Sequence, residues 1–191
     1  IPTAAVTVTY RAATHEVIGS TAVAELSYSG TISRNGVRPS YIVLRIPRED
    51  QIEIGDGSTA AYAQIVGTQI VPGSIRITAV NVGSTEMVVT DDGAGAFAGD
   101  VTGPGTINYQ TGSLSWQFTS NVKNGAVITA TYEVYAKDNG LGVLSGSQVT
   151  GAINYATGAL TLVFTFTPAG DYLPGLPAGG SIDAFFFHTT V

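Results

Sequence analysis

The sequence predicts an all-β protein, an antiparallel β-sandwich or partly closed barrel of about ten to fourteen short strands. Composition is the first reason, because 44% of the 191 residues are hydrophobic, 12% are charged and 24 are glycine. Val, Ile, Thr, Tyr and Phe dominate segments that Gly, Pro, Asn and Asp separate, as strands and turns require. The pattern indicates no long amphipathic helix, and no apolar run approaches the length of about 18 residues that a membrane span needs.

A repeated ten-residue segment is the second reason. Residues 105–114 and 151–160 match at seven of ten positions, 46 residues apart, and each copy leads into an alternating apolar strand. Upstream, residues 92–95 align with residues 139–142 at an offset of 47. Such an internal strand–turn–strand repeat is typical of modular β structures. The distinctive residues of this segment occur twice and are of types that favour turns. They therefore indicate a role in architecture and assembly more than a role in catalysis.

The chain opens with a short predicted strand. Val6, Val8 and Tyr10 alternate with threonines, which is the pattern of an amphipathic strand. Such a strand either lies at the edge of its own sheet or is donated to a neighbouring copy. We therefore place these three residues among the predicted assembly contacts.

A hairpin is predicted next. Residues 22–33 and 37–46 read as its two strands, and Asn35-Gly36 suits a two-residue type I′ turn. Residues 47–50 read as a break, so we divide the chain into an N-terminal β arm and hairpin, residues 1–50, and a β-sandwich, residues 51–191.

The predicted sandwich contains two overlapping repeat units, at about residues 53–135 and 127–191. In the first unit Leu114, Trp116 and Phe118 share one face of a strand. The second unit carries a Pro/Gly-rich loop over residues 168–177. Its apolar side chains form a second predicted assembly contact, made by Tyr172, Leu173 and Leu176. The alternative is that this loop folds back over its own domain.

The repeated segment itself predicts two equivalent turns. Gly112 and Gly158 supply the left-handed backbone conformation that these turns require. Asn108 and Asn154 are placed to accept hydrogen bonds from the backbone of their own turns. The neighbouring tyrosines are expected to pack over each hairpin with the hydroxyl outward, and they are Tyr109 and Tyr155.

The order of these segments resembles a module found in virion proteins of tailed bacteriophages, in tail, baseplate and capsid-associated components. The similarity covers about residues 53–135, with a partial second copy over residues 138–191, and it rests on five motifs in the same order. They are GDGST at 55–59, VPGSI at 71–75, TDDGAG at 90–95, GTINYQTG at 105–112 and ITATY at 128–132. The resemblance implies an all-β structural protein that assembles, and it supplies no catalytic residues.

Candidate chemical groups are few. Asp91, Asp92 and Asp100 lie in a Gly-rich region and offer oxygens to Ca²⁺, but their spacing also fits solvated turns, so we expect no metal and no cofactor. The two histidines, His15 and His188, lie at opposite ends of the chain, with His15 in a predicted loop. No motif for a nucleophile accompanies them, and cysteine is absent. We therefore expect a protein that is not an enzyme.

The net charge of −6 is unevenly distributed. Residues 1–48 carry five Arg against two Glu, whereas residues 49–191 carry three basic residues against twelve acidic ones. A basic head on an acidic body favours head-to-tail association of identical subunits, although scattered surface charge is the alternative. The dispersed arginines and the negative net charge argue against a nucleic-acid partner, and the sequence points to no membrane partner.

The function predicted is that of a non-enzymatic virion protein that binds copies of itself, and other virion proteins, through β edges and apolar loops. One alternative is a secreted pilus or matrix-filament subunit that polymerises by donating its N-terminal strand. Ile1 in place of Met favours it if the chain is processed, but a cropped chain would look the same. A second alternative is a carbohydrate-binding adhesin, which would need aromatic residues exposed along a groove.

Overall fold

The computed structural model of the chain describes residues 11–18, 21–24, 27–31, 42–146, 149–164 and 182–189, with side chains within residues 42–146 and 149–163. The described residues form fifteen strands and no helix. In chain order they are β1 (Arg11–Ile18), β2 (Thr21–Ala24), β3 (Ser27–Thr31), β4 (Val43–Ile54), β5 (Ala61–Ile65), β6 (Arg76–Val80), β7 (Glu86–Asp91), β8 (Phe97–Gly99), β9 (Thr106–Asn108), β10 (Ser113–Gln117), β11 (Val127–Asp138), β12 (Val143–Gly146), β13 (Val149–Ile153), β14 (Ala159–Phe164) and β15 (Ile182–Thr189). Their ladders are antiparallel, so the predicted fold class is confirmed.

Twelve strands form one large sheet and three form a small one. The large sheet follows the order β1-β15-β4-β11-β12-β13-β14-β3-β2, with β6, β7 and β8 branching from β11, and the small sheet follows β5-β10-β9. The strands at the two ends of the large sheet, β1 and β2, are consecutive in the chain. Three Cα–Cα steps separate Ile18 from Thr21, at most about 11 Å. The large sheet therefore curls back towards itself, as in a partly closed barrel.

The core lies between the two sheets. Ile77, Val89 and Ile128 of the large sheet and Leu114 and Trp116 of the small sheet belong to one hydrophobic cluster, and each is at most 2% exposed. Two sheets that share one apolar layer form a sandwich. Within the described residues, no helix is long and apolar enough to span a bilayer.

The longest strands, β4 and β11, pair along their length and form the centre of the large sheet. Burial alternates along both, as expected for strands with one face in the core. Ile42, Leu44 and Ile46 are each at most 1% exposed, so these three residues share the inner face.

The predicted break at residues 47–50 is wrong, because β4 continues through it and across the proposed domain boundary after residue 50. The N–H of Asp138 donates to the carbonyl of Ile42, so even-numbered residues of β4 bond to β11. Pro47 therefore faces the other side, where the pairing with β15 ends at Arg45. A proline that faces an unpaired side costs the ladder no hydrogen bond.

The predicted hairpin of residues 22–33 and 37–46 is also wrong. Among the described residues, β3 pairs with β14 and β2, whereas β4 pairs with β11 and β15. Asn35 and Gly36, the expected turn, lie outside the described residues. Both strands were recognisable from their composition, but each takes partners from the distant C-terminal half of the chain.

The first and last described strands are neighbours, since β1 pairs with β15 over eight residues. His15 lies within β1 opposite Phe185, so its predicted position in a loop is wrong. His188 lies within β15 opposite Ala12. The two histidines therefore lie on adjacent strands.

Candidate functional site

The carboxylate of Asp91, at the end of β7, joins three loops. Its Oδ1 accepts hydrogen bonds from the N–H of Gly73 (2.8 Å), the N–H of Gly93 (2.7 Å) and the hydroxyl of Tyr109 (2.8 Å). Its Oδ2 accepts from the N–H of Ile75 at 2.8 Å. Asp91 is 9% exposed, and these four donors give its buried charge the hydrogen bonds that it needs.

The hydroxyl of Tyr109 completes this arrangement, which we call the first clamp (Asp91, Tyr109 and Gly95). Tyr109 donates to Asp91 and accepts from the N–H of Gly95 at 3.1 Å. The expectation that this hydroxyl points outward is therefore wrong. Burial, followed by the hydrogen bond to Asp91, raises the pKa of Tyr109 to about 12.

The second repeat unit builds the same arrangement, the second clamp (Asp138, Tyr155 and Gly142). The Tyr155 hydroxyl lies 2.7 Å from both carboxylate oxygens of Asp138 and accepts from the N–H of Gly142 at 2.8 Å. Asp138 ends β11 as Asp91 ends β7. Burial, followed by the bond to Asp138, raises the pKa of Tyr155 as well.

The residues that follow each clamp carboxylate also correspond. Asp92 Oδ1 accepts from the N–H groups of Ala94 (2.8 Å) and Ala96 (3.0 Å). Asn139 Oδ1 accepts from those of Leu141 (2.8 Å) and Val143 (3.3 Å), at the offset of 47 found in the sequence. The N–H groups of Ala96 and Ala94 lower the pKa of Asp92.

The two repeated turns are closed by their asparagines. Asn108 Oδ1 lies 3.0 and 3.1 Å from the backbone nitrogens of residues 110 and 111, and Asn154 Oδ1 lies 2.9 and 3.2 Å from those of residues 156 and 157. Gly112 and Gly158 have φ of 73° and 70°, the left-handed conformation. A Cβ at Gly112 would lie 2.5 Å from two carbonyl oxygens, so a side chain does not fit there.

The aspartates offered as weak calcium candidates serve as hydrogen-bond acceptors in these loops. Asp91 and Asp92 accept the bonds described above, and Asp100 Oδ2 accepts from the N–H of Val88 at 2.8 Å. Both oxygens of Asp91 are engaged by donors, whereas Asp92 and Asp100 each use one oxygen in these bonds. Among the residues that the structure describes, no group of three or more His, Asp or Glu side chains is arranged to hold a metal.

The predicted assembly residues of the two terminal regions lie outside the described part of the chain. They are Val6, Val8 and Tyr10 in the N-terminal segment and Tyr172, Leu173 and Leu176 in the Pro/Gly-rich loop. They remain predictions.

Trp116 is buried. Its side chain is 2% exposed and stacks on Tyr62, with 5.6 Å between ring centroids. A surface groove of about 390 Å³ adjoins both rings, but a buried indole presents no face to a sugar. This position disfavours the carbohydrate-binding alternative.

Several large apolar side chains are exposed and take no part in either clamp. Leu141 is 84% exposed and Val143 is 49% exposed, yet the corresponding residues of the first unit are Ala94 and Ala96. The turn therefore does not require large side chains at these positions. Others lie on strands and loops of the described part, namely Ile54, Ile65, Val82, Val127 and Val163.

Within the described part of the chain the outer edge of β5 is unpaired, which the sequence did not lead us to expect. The N–H of Phe118 donates to the carbonyl of Ala60 and the N–H of Val66 to that of Gly112, so even-numbered residues of β5 bond to β10. The backbone groups of Ala61, Ala63 and Ile65 point the other way, and none is hydrogen-bonded in the described structure. The signal in the sequence was an alternating strand without charge or proline.

Comparison with known proteins finds distant likeness at the level of structure. No protein-family model and no curated protein sequence matches the chain. VP17, a capsid protein of bacteriophage P23-77, is similar at a TM-score of 0.37 and 12% identity, over 96% of this chain and 91% of VP17. The complex of VP16 and VP17, the two major capsid proteins of the same phage, is similar at a TM-score of 0.34 and 12% identity, over 96% of this chain and 92% of that chain.

Proposed function

We propose that this chain is a non-enzymatic structural protein of a bacteriophage virion, in the tail, the baseplate or the capsid shell. It acts by binding copies of itself and other virion proteins through β edges and apolar loops. It transforms no substrate and needs no cofactor, nucleic acid or membrane.

The observation that carries this proposal is that the same Asp–Tyr clamp occurs in both units. In both units the tyrosine and the carboxylate that could serve chemistry are bonded to backbone N–H groups or to each other. A catalytic site needs polar groups that converge on a space for substrate and remain available to it. Here those groups stabilise loops, and a duplicated stabilising device is what a modular structural protein needs.

Two features support self-assembly. Among the residues that the structure describes, the outer edge of β5 presents unpaired N–H and C=O groups, which form a template for strand addition. The exposed Leu141 and Val143 add apolar surface where the first unit has alanines. Burial of such surface between subunits would stabilise an assembly.

The virion as the location rests on the sequence resemblance. The five ordered motifs of residues 53–135 resemble those of the tailed-phage module, and the clamp residues Asp91 and Tyr109 fall within two of them. These motifs therefore coincide with the hydrogen bonds that hold the fold together, and the resemblance concerns architecture.

Protein composition of purified particles tests this proposal. In virions of a phage that encodes the sequence, quantitative mass spectrometry should find the chain at many copies per particle, at a fixed ratio to the other shell or tail proteins. Its absence from purified virions, or a copy number that falls with each purification step, would contradict the proposal.

A further inference from the structure

The geometry points to a specific contact within the proposed self-assembly, on which this inference rests. We propose that β5 pairs antiparallel with β5 of a second copy about a two-fold axis through Ala63. The two small sheets would then form one continuous sheet of six strands, β9-β10-β5 followed by β5-β10-β9 of the second copy.

The free backbone groups of β5 are self-complementary. With the axis at Ala63, the outward N–H and C=O groups of Ala63 face those of Ala63 in the second copy, and Ala61 faces Ile65. These are three hydrogen-bonded pairs, which together make about six hydrogen bonds. Each copy contributes the same backbone groups to the pairing, as an isologous contact requires.

The side chains of β5 permit this approach. Ala61 and Ala63 are exposed and small, and Ile65 is 75% exposed, so the solvent face of the new ladder would pair alanine with alanine and isoleucine with alanine. On the other face Tyr62 would lie opposite Gln64. The strand carries no lysine, proline or bulge, the devices that keep edges from pairing.

The charges around β5 permit a second copy of the same edge as the occupant. No residue of β5 is charged, so its pairing with itself places no like charges directly opposite each other. The nearest carboxylates flank the strand: Glu53 Oε2 accepts from Gln64 Nε2 at 2.7 Å, and Asp56 caps the preceding turn through the N–H of Ser58. They repel across the axis at some distance and limit the affinity without blocking the contact.

The contact is weak when taken singly. A pair of five-residue strands buries less than the roughly 1,200–2,000 Å² of a typical stable interface. Its strength in a particle would come from repetition together with other contacts. The experiment therefore traps the pair covalently instead of relying on its lifetime.

Single cysteines test the register, because the natural chain has no cysteine. Under mild oxidation Ala63→Cys should form a disulfide-linked dimer, since Cα atoms of a hydrogen-bonded pair lie about 5.5 Å apart. Neither Ala61→Cys nor Ile65→Cys should link to itself, but an equimolar mixture of the two should link. Leu141→Cys, at a position 84% exposed, measures the rate of random collision, which Ala63→Cys should exceed by about tenfold or more.

A second variant tests the hydrogen bonds. Ala63→Pro removes an outward N–H that β10 does not use, so the fold should be retained, as circular dichroism and urea unfolding would show. Sedimentation should then show weaker self-association than for the natural chain. Ala63→Ser is the matched control and should associate as the natural chain does.

The outcomes separate this inference from the proposed function. Equal linking by Ala61→Cys and Ala63→Cys, no linking by Ala63→Cys, or unchanged association of Ala63→Pro would overturn the β5 pairing and leave a virion role intact. Linking by Ala63→Cys in a chain that virions lack would support the pairing and contradict the virion role. If deletion of residues 1–10 abolished association while Ala63→Cys stayed unlinked, a donated N-terminal strand would occupy the edge, and the β5 pairing would be wrong.

Discussion

Tyr109 and Asp91 show how one side-chain pair can hold three loops together. Asp91 receives donors from the loop before β6, from the turn after β7 and from the repeated turn that contains Tyr109. Because the carboxylate is buried, each lost donor leaves part of its charge unsatisfied. Single substitutions in the clamps should therefore lower stability more than their partial exposure suggests.

The first prediction concerns the clamp hydroxyls. Tyr109→Phe removes the donor to Asp91 and the acceptor of the Gly95 N–H, and it should lower the free energy of unfolding by about 1–3 kcal/mol. Tyr155→Phe should have a similar effect in the second unit. Urea unfolding measures both. Tyr135→Phe is the control, because no hydrogen bond to that hydroxyl exists in the described structure, and its effect should stay within about 0.5 kcal/mol.

The second prediction concerns alkaline pH. The pKa of Tyr109 is raised to about 12 in the fold, whereas an unfolded tyrosine titrates near 10. The neutral hydroxyl therefore contributes stability that is fully present below about pH 10 and is lost as the pH rises through about 12. Unfolding free energies measured from pH 8 upward should fall more steeply for the natural chain than for Tyr109→Phe. Parallel curves for the two proteins would contradict the assignment of this proton to the clamp.

Some of these residues could be predicted and others could not, and the difference is the sequence distance between partners. Asn108 and Gly112 act within their own turn, so their types and spacing were sufficient. The direction of the Tyr109 hydroxyl was predicted wrongly because its partner Asp91 lies 18 residues away. No local pattern shows that a loop near Gly73 will supply a further donor to the same carboxylate.

At the scale of elements, glycines in a left-handed conformation differ in their surroundings, as Gly112 in the first repeated turn and Gly125 in the turn before β11 show. Gly112 has φ of 73°, and a Cβ there would lie 2.5 Å from the carbonyl oxygens of Gly67 and Val66. Gly125 has φ of 75°, but nothing lies within 4 Å of the corresponding Cβ. An added Cβ would strain the backbone at both positions, but it would clash with neighbouring atoms only at Gly112. Comparing substitutions at the two positions therefore distinguishes backbone strain from steric clash.

The third prediction uses this pair. Gly125→Ala should cost about 1–2 kcal/mol, the strain of a left-handed alanine alone. Gly112→Ala should cost more than about 3 kcal/mol, since the turn must also move away from two carbonyl groups. Thermal and urea unfolding measure the difference. Equal costs at the two sites would show that the turn around Gly112 relaxes freely.

The strands themselves illustrate what an alternating pattern predicts. The inner face of β10 was predicted correctly, because a period of two identifies which residues share a face. The partner of β3 was not, since β14 lies more than a hundred residues further along the chain. The continuation of β4 through Pro47 also depended on its partners, because the strand beside it ends at Arg45.

At the scale of the whole molecule, charge distinguishes two modes of association. The charge distribution in the sequence favours one mode, a head-to-tail contact between basic residues 1–48 and acidic residues 49–191. The β5 pairing instead joins like surfaces of a chain with net charge −6, flanked by Glu53 and Asp56. Salt weakens attraction between opposite charges and relieves repulsion between like charges.

The fourth prediction concerns the effect of salt on self-association, which is opposite in direction for the two modes. Raising NaCl from about 50 to 500 mM should strengthen self-association by about threefold to tenfold. Glu53→Gln should strengthen it at low salt and reduce its response to salt. Association that weakens with salt would favour the head-to-tail contact over the β5 pairing. Light scattering over a salt series measures this directly.

The central claim is that the molecule acts by binding copies of itself. Sedimentation velocity of the natural chain from about 1 to 500 µM tests it most directly, because a weak strand pair is detected by mass action. We expect the weight-average mass to rise from that of the monomer towards that of a dimer as concentration increases, and to rise less for Ala63→Pro. A single monomeric species across the whole range, identical for both proteins, would contradict it.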